Sequence, residues 1–375
     1  MSLSSTKKMT GDCVEMRELA ARICRDYLNG AWKMVTSQNI GFKHISGGLS
    51  NLLFHISLPA DMIHDEKNKK EPNEVLIRVY GQTHGERALE ALITDSVIFT
   101  LLSERGLGPK LHGIFPGGRI EQYINARPLL TRELADQKLS MSIAQNMATI
   151  HSMEVPLHKE PRWLWDTINR WLQICEAKMP DGLPDYVQDL LQDVDMKEEA
   201  VWLKRRLEKE NSPVVFCHND MQEGNILMSR DSEQQNNNEE SNIYIIDFEY
   251  CSYNYRSFDI ANHFVEWTYD YTEKDPPYYR EDKSNYPTEL QRMRFVKAYL
   301  NELGSRENPK KVLKEVEVFT MASHFFWSLW AFINVDTSQI PFGYSEYGYS
   351  RLSNYLQLKK KLNNAQLKRK MDTLE

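Results

Sequence analysis

CHNDMQEGNIL at 217–227, followed by IYIIDFEY at 243–250, is the part of the chain that decides how the rest is read. Asp220 and Asn225 stand five residues apart, and Asp247 closes an apolar run. Asp-x-x-x-x-Asn followed by Asp-Phe-x, each led in by an apolar strand, is the spacing of phosphoryl-transfer and metal-binding loops. The residue types suit that chemistry. Asp220 can orient a hydroxyl and accept its proton, while the amide oxygen of Asn225 and the carboxylate of Asp247 can hold a divalent cation against phosphates. Either half alone is equally well a turn or a strand end. Both together, in order and at hairpin separation, favour the chemical reading.

VVFCH (214–218) and IYIIDFEY read as partner strands, with the polar SRDSEQQNNNEESN (229–242) as the tip of the hairpin between them. The surrounding sequence is helical in period: 131–151, 163–177 and 186–210, then MRFVKAYLNEL and VEVFTMASHFFWSLWAFINV beyond residue 290. Before Pro128 the pattern differs. Residues 13–29 form an amphipathic helix ending at Gly30, and ISGGLSNLLFHISL is a hairpin around Gly-Gly. A solvated loop (61–74), the strand VLIRVYG (75–81), a helix over 88–106 and two strands within GIFPGGRIEQYI (113–124) follow. The expected fold is α+β: a small β-rich N-terminal lobe over 1–124 and a larger, mainly helical C-terminal lobe over 125–375, with a cleft between them.

Composition narrows the partners. With 375 residues and 41% hydrophobic content the chain can bury a substantial core. A net charge of −7 without a long basic tract argues against nucleic acid and anionic lipid surfaces. The longest apolar runs fall short of the ~20 residues of a membrane span, so no stable insertion is expected. The N-terminus MSLSSTKKMTGDCVEM lacks a signal peptide's apolar core, and five scattered cysteines read as reduced thiols, which together predict a cytoplasmic protein.

Beyond these readings, the chain resembles the choline/ethanolamine kinase family over most of its length. The stretches that carry the resemblance are SGGLSNLLF, ERGLGPKLHGIFPGGRIEQYI, HNDMQEGNIL, IDFEYCSYNYRSFDIANHFVEW and SHFFWSLW. Gln222–Asn225 and Trp267 look like the choline-preferring branch. The resemblance implies a protein-kinase-like fold, an enzyme of phospholipid head-group supply that uses ATP and Mg²⁺, and a homodimer. It assigns Asp220 as the base, Asn225 and Asp247 as magnesium ligands, Glu249 as their accessory and Gln222 as a phosphate-side contact. Ser46, Gly47, Gly48, Leu49, Ser50, Asn51 and Leu52 would cover the ATP phosphates. Arg78 would stand where protein kinases carry a lysine, and the backbone of Gln122, Tyr123 and Ile124 would bond the adenine. A cation inside an apolar strand needs a partner, and a triphosphate is a good one. Family members carry a glutamate on the first-lobe helix to pair with that strand cation. Here the residue is Asp95, one methylene shorter, and its pairing with Arg78 stays open.

Choline is a permanent cation with a methyl shell and no N–H, so its recognition calls for aromatic faces and a counter-charge. Trp327 and Trp330, three apart on an apolar helix, share a face, and without the resemblance they would read as core. The resemblance adds Tyr250, Tyr271, Phe342 and Tyr347 to the cage and Glu266 as counter-charge, with Asp220 facing the substrate hydroxyl. It implies choline and also ethanolamine as substrates. Alternatives are an ethanolamine-preferring kinase, an aminoglycoside-type phosphotransferase, or a catalytically dead ammonium binder. The absence of a Gly-x-x-x-x-Gly-Lys-Ser/Thr loop removes Walker-type NTPases, and DFE in place of DFG disfavours a protein kinase.

Overall fold

The computed structural model describes residues 14–45, 51–63, 71–80, 86–177, 182–230, 243–338 and 340–372. The chain divides into two compact units: Met1–Ala126 with Ser229–Asp231, and Arg127–Met228 with Ser232–Glu375.

In the first unit, α1 (Val14–Tyr27) buries Met16, Ala20, Ala21, Ile23 and Cys24, the three- and four-residue spacing of an amphipathic helix. Gly30, at φ 59°, turns the chain into a 3₁₀ segment that buries Trp32. Five strands follow: β1 (Gly41–Ile45), β2 (Asn51–Ser57), β3 (Glu74–Tyr80), β4 (Leu111–Phe115) and β5 (Gly118–Gln122). They form an antiparallel sheet in the order β1-β2-β3-β5-β4. α2 (Glu86–Glu104) lies between β3 and β4 in sequence. Phe54, Ile56, Val75, Ile77 and Ile120 pack with Trp32 and α1 into one core. Gly118 is required where it stands, because a Cβ there would come within 2.1 Å of the Arg78 carbonyl oxygen. β3 is central, so Arg78 sits inside the sheet rather than on its edge.

In the second unit, β6 (Ala126–Pro128) leads into α3 (Gln137–His151), α4 (Arg162–Ala177), α5 (Asp185–Asp193) and α6 (Met196–Glu208). The break between α5 and α6 follows from Asp195, whose side chain caps α6 by accepting from the Lys197 and Glu198 N–H groups. Then come β7 (Val214–Cys217), β8 (Ile226–Ser229), β9 (Ile243–Ile245), β10 (Ser252–Tyr255), α7 (Arg256–Glu266), β11 (Tyr269–Asp270), β12 (Arg280–Glu281), α8 (Glu289–Glu302), α9 (Pro309–Asn334) and α10 (Tyr344–Asp372).

Two expectations are corrected. β7 does not pair with the strand after the polar insertion. It pairs with β10, Cys217 opposite Ser252, while β9 pairs with β8, Ile245 opposite Ile226. The chain makes a 3₁₀ turn at Glu223–Asn225 and starts a fresh strand, which takes the hairpin position. The expected tip (229–242) lies outside the described residues from 231 on. Secondly, α9 is, by length and composition alone, apolar enough to cross a membrane. Its most apolar window is 83% buried inside the protein, as a core helix would be.

Candidate active site

Asp220 follows β7, and the backbone around it is held in an unusual conformation. Asn219 (φ 69°) and Asp247 (φ 63°) both occupy the left-handed region, which for a non-glycine residue costs on the order of 1 kcal/mol. Asn219 is fixed on three sides: its N–H donates to Asp259 Oδ1 (2.9 Å), its Nδ2 donates to the Tyr250 carbonyl (2.9 Å), and its Oδ1 accepts from Asn254 Nδ2 (2.8 Å). The His218 N–H donates to Asp259 Oδ2 at 2.8 Å. His218 Nε2–H donates to the Ile246 carbonyl (3.0 Å) and Nδ1 accepts from the Asp220 N–H (3.3 Å). Burial lowers this imidazole's pKa, so it stays neutral. The β8–β9 ladder completes the site, because the Ile246 N–H donates to the Asn225 carbonyl at 3.0 Å and delivers Asp247 beside Asn225.

Asn225 Nδ2 donates to both the carbonyl and the Oδ2 of Asp220, each at 2.9 Å, which turns its amide oxygen the other way. The Asp220 carboxyl is pushed well above the usual carboxylate range, first by burial and then by the charges of Glu266, Asp247 and Glu249. The three residues singled out in the sequence therefore do converge. Among the described residues neither Asp220 nor Asp247 has a cationic partner. A like-charge cluster of this kind, half-buried at Asp220 and Asp247 and edged by an amide oxygen, is a donor set that fits a hard divalent cation. Glu249 is exposed, and Gln222 uses Oε1 to accept from the Gly224 N–H (2.9 Å).

The cage residues also come together, all in the second unit. Tyr250 meets Trp327 edge-on (ring centroids 5.6 Å apart), Trp327 meets Trp330 (5.5 Å), and Trp330 approaches Tyr347 (6.3 Å). Tyr347 lies 5.4 Å from Phe342 and 6.2 Å from Tyr271. Tyr250 links rings to acid: its ring meets Trp327, and burial followed by the charges of Glu249 and Asp220 raises its pKa. Trp327 is nearly buried, its Nε1–H donating to Asn262 Oδ1 at 2.7 Å, whereas Trp330 is partly open.

In the first unit, Ser46–Ser50 and the side chain of Asn51 lie outside the described residues. Leu52 packs against the core. The open question at Arg78 resolves onto a different acid. Arg78 Nε donates to Glu121 Oε1 (2.7 Å), which also accepts from Arg119 Nε (2.6 Å), while Asp95 pairs with Arg119. Arg78 and Arg119 are cross-strand neighbours, so a carboxylate between them removes a like-charge clash. Burial raises the Glu121 pKa, but the two guanidinium groups outweigh it and hold the carboxyl ionised. At the expected adenine strip, the Gln122 N–H is engaged by the Lys110 carbonyl (2.7 Å), the Ile124 carbonyl accepts from Ala126 (2.8 Å), and Tyr123 stacks on His55.

The chain matches the choline/ethanolamine kinase family over residues 42–356. It is 45% identical to a choline/ethanolamine kinase of Homo sapiens over 350 residues, 91% of this chain and 86% of that protein. It is 40% identical to choline kinase A2 of Caenorhabditis elegans, covering 93% of this chain and 87% of that one. The crystal structure of a choline kinase from Cryptosporidium parvum superposes with a TM-score of 0.73 at 30% identity, covering 93% and 96% of the two chains. The chain belongs to the choline/ethanolamine kinase family. It is a kinase, and its fold is the protein-kinase-like one expected.

Several residues of this family member that hold the site were not singled out from the sequence. Asp259, fully buried, takes the backbone N–H groups of His218 and Asn219 and a bond from His151 Nε2 (3.0 Å). Burial would raise its pKa, but the His151 hydrogen bond and nearby charge keep it low. His151, Cys217 and Asp259 offer atoms within 4.8 Å of one another, a spacing a metal could use. Hydrogen bonds account for both His151 nitrogens and both Asp259 oxygens, and burial keeps the Cys217 thiol protonated, so the cluster is structural. Arg351, which bonds Glu266, was also unsignalled. An arginine within the polar stretch GYSRLSNY (348–355) gives no hint of its partner.

Proposed function

We propose that the protein is a choline kinase, transferring the γ-phosphoryl group of ATP to the hydroxyl of choline to give phosphocholine and ADP, and acting on ethanolamine as well. The observation that carries this reading is Tyr250, set between the acidic cluster at Asp220 and the rings led by Trp327. A quaternary ammonium has no N–H to donate, so ring faces contributing ~0.5–2 kcal/mol each are the suitable recognition element. Asp220 orients the hydroxyl and accepts its proton, and its raised affinity for a proton suits a base that acts once cations surround it. Asn225 and Asp247 are the residues that would hold Mg²⁺, which when bound supplies positive charge to the phosphates. Arg78, Leu52 and Gln122–Ile124 of the first unit, with Gln222 of the second, are assigned to the nucleotide by resemblance. A cytoplasmic setting belongs to the same proposal, supported by Cys24, Cys175 and Cys217 standing as thiols rather than disulfides among the described residues.

Steady-state kinetics with both amines test the reading. Trp330→Ala should raise the KM for choline by roughly 5- to 30-fold, the equivalent of ~1–2 kcal/mol, and that for ethanolamine less, because a primary ammonium can hydrogen-bond. Equal effects on both amines would count against the cage.

A further inference from the structure

Glu266 reads as the counter-charge of the cage, yet in the structure its charge is already answered. It is 3% exposed and bonded through Oε1 to the guanidinium of Arg351, which is 0% exposed. The contact belongs to a closed circuit. Arg351 Nε donates to the Tyr347 hydroxyl (2.9 Å), the Tyr347 and Tyr271 hydroxyls bond each other (2.9 Å), and the Tyr271 hydroxyl donates to Glu266 Oε2 (2.8 Å). The same guanidinium stacks on Tyr269 and Tyr347, 4.2 and 4.9 Å from the ring centroids. Two of the four members, Tyr271 and Tyr347, are cage rings. A buried ion pair is weak ground for stability, since desolvation offsets most of the attraction. Its place in the wall of the amine pocket points to selectivity instead.

We propose that Arg351 is a positioning residue that sets the preference of the cage for a methylated ammonium over a primary one. It does so by compensating Glu266 and by engaging the tyrosine hydroxyls, so that the wall offers ring faces and few free acceptors. A primary ammonium gives up strong hydration on entry and needs acceptors in return, whereas a trimethylammonium does not. Without Arg351, Glu266 becomes an uncompensated carboxylate open to N–H donors. The inference rests on the amine-kinase reading above and adds a selectivity determinant to it.

The test is the ratio of kcat/KM for choline to that for ethanolamine, taken on one preparation so that the active fraction cancels. Arg351→Met should lower the ratio by about tenfold, by raising the choline KM more than it changes kcat. The double variant Glu266→Gln/Arg351→Met, with neither charge left, should recover most of the wild-type ratio. Arg351→Lys keeps the charge but cannot bridge Glu266 and Tyr347 together, so its ratio should fall by about threefold. It also serves if the methionine variant does not fold. A ratio unchanged in both single variants, or a double variant with a ratio no higher than Arg351→Met, overturns the proposal, because a purely structural arginine would impair both amines alike. Failure of the wild-type protein to phosphorylate either amine would instead overturn the functional reading beneath it.

Discussion

His263 shows how one buried side chain ties the catalytic loop to pH. Its Nδ1–H donates to the Met221 carbonyl (2.8 Å), one residue past Asp220, and its Nε2 accepts from the Trp267 indole (3.3 Å). Burial lowers its pKa to about 4. An unfolded histidine titrates near ~6.5, so between these values the unfolded chain binds the extra proton and the folded one does not. Stability from this group is therefore complete above pH 6.5 and lost as pH falls towards 4, amounting to on the order of 3 kcal/mol. His263→Gln should reduce the slope of unfolding free energy against pH in that window by about one proton, measured by urea titration at stepped pH. An unaltered slope would show that His263 does not set it. At this scale the sequence was most legible where chemistry dictates spacing, as at Asp220, Asn225 and Asp247. It was least legible where a role depends on a distant partner: Asp95 meets Arg119, and Glu121 rather than Asp95 holds Arg78 by the bond described above.

α7 is the element on which the second unit's chemistry is built. All eleven of its residues are buried, yet Asp259, Asn262, His263 and Glu266 lie along one face at helical spacing. In order they hold His218 and Asn219, the Trp327 indole, Met221, and Arg351 with Tyr271. One rigid helix thus sets the catalytic loop and the cage together. Asp259→Asn weakens the bonds to two backbone N–H groups and to His151, and should lower unfolding free energy by roughly 2–4 kcal/mol. Turnover should fall further than the loss of folded protein explains, which urea denaturation and kinetics on the same samples would reveal. A drop in stability with full turnover per folded molecule would contradict the positioning role. A polar stripe on a wholly buried helix escapes hydrophobic patterning, which looks for the opposite arrangement, so α7 was visible only through resemblance. The pairing of β7 with β10 escaped for a related reason. β9 is short and apolar and β10 (Ser-Tyr-Asn-Tyr) short and half polar, so apolar pattern favours the wrong partner, and the choice lies in the turn at Glu223–Asn225.

Across the molecule, the change from β-rich to helical sequence near Pro128 marks the point where the chain passes from its first compact unit to its second. The periodicities of α1, α2, α3 and α9 were sufficient to read the architecture, because long periodic segments leave little ambiguity. The terminal helix α10 was not legible, although it contributes Tyr347 and Arg351 to the cage wall. The central proposal lies in the second unit, where Asp220 would orient the substrate hydroxyl and Asn225 and Asp247 would hold the cation. The direct measurement is ATP-dependent formation of phosphocholine by Asp220→Asn, alongside titration of nucleotide and choline into the same protein. Turnover should fall by at least about a thousandfold while both ligands still bind within a fewfold of wild type. Turnover near the wild-type rate would contradict the role given to Asp220 and, with it, the site built around that residue.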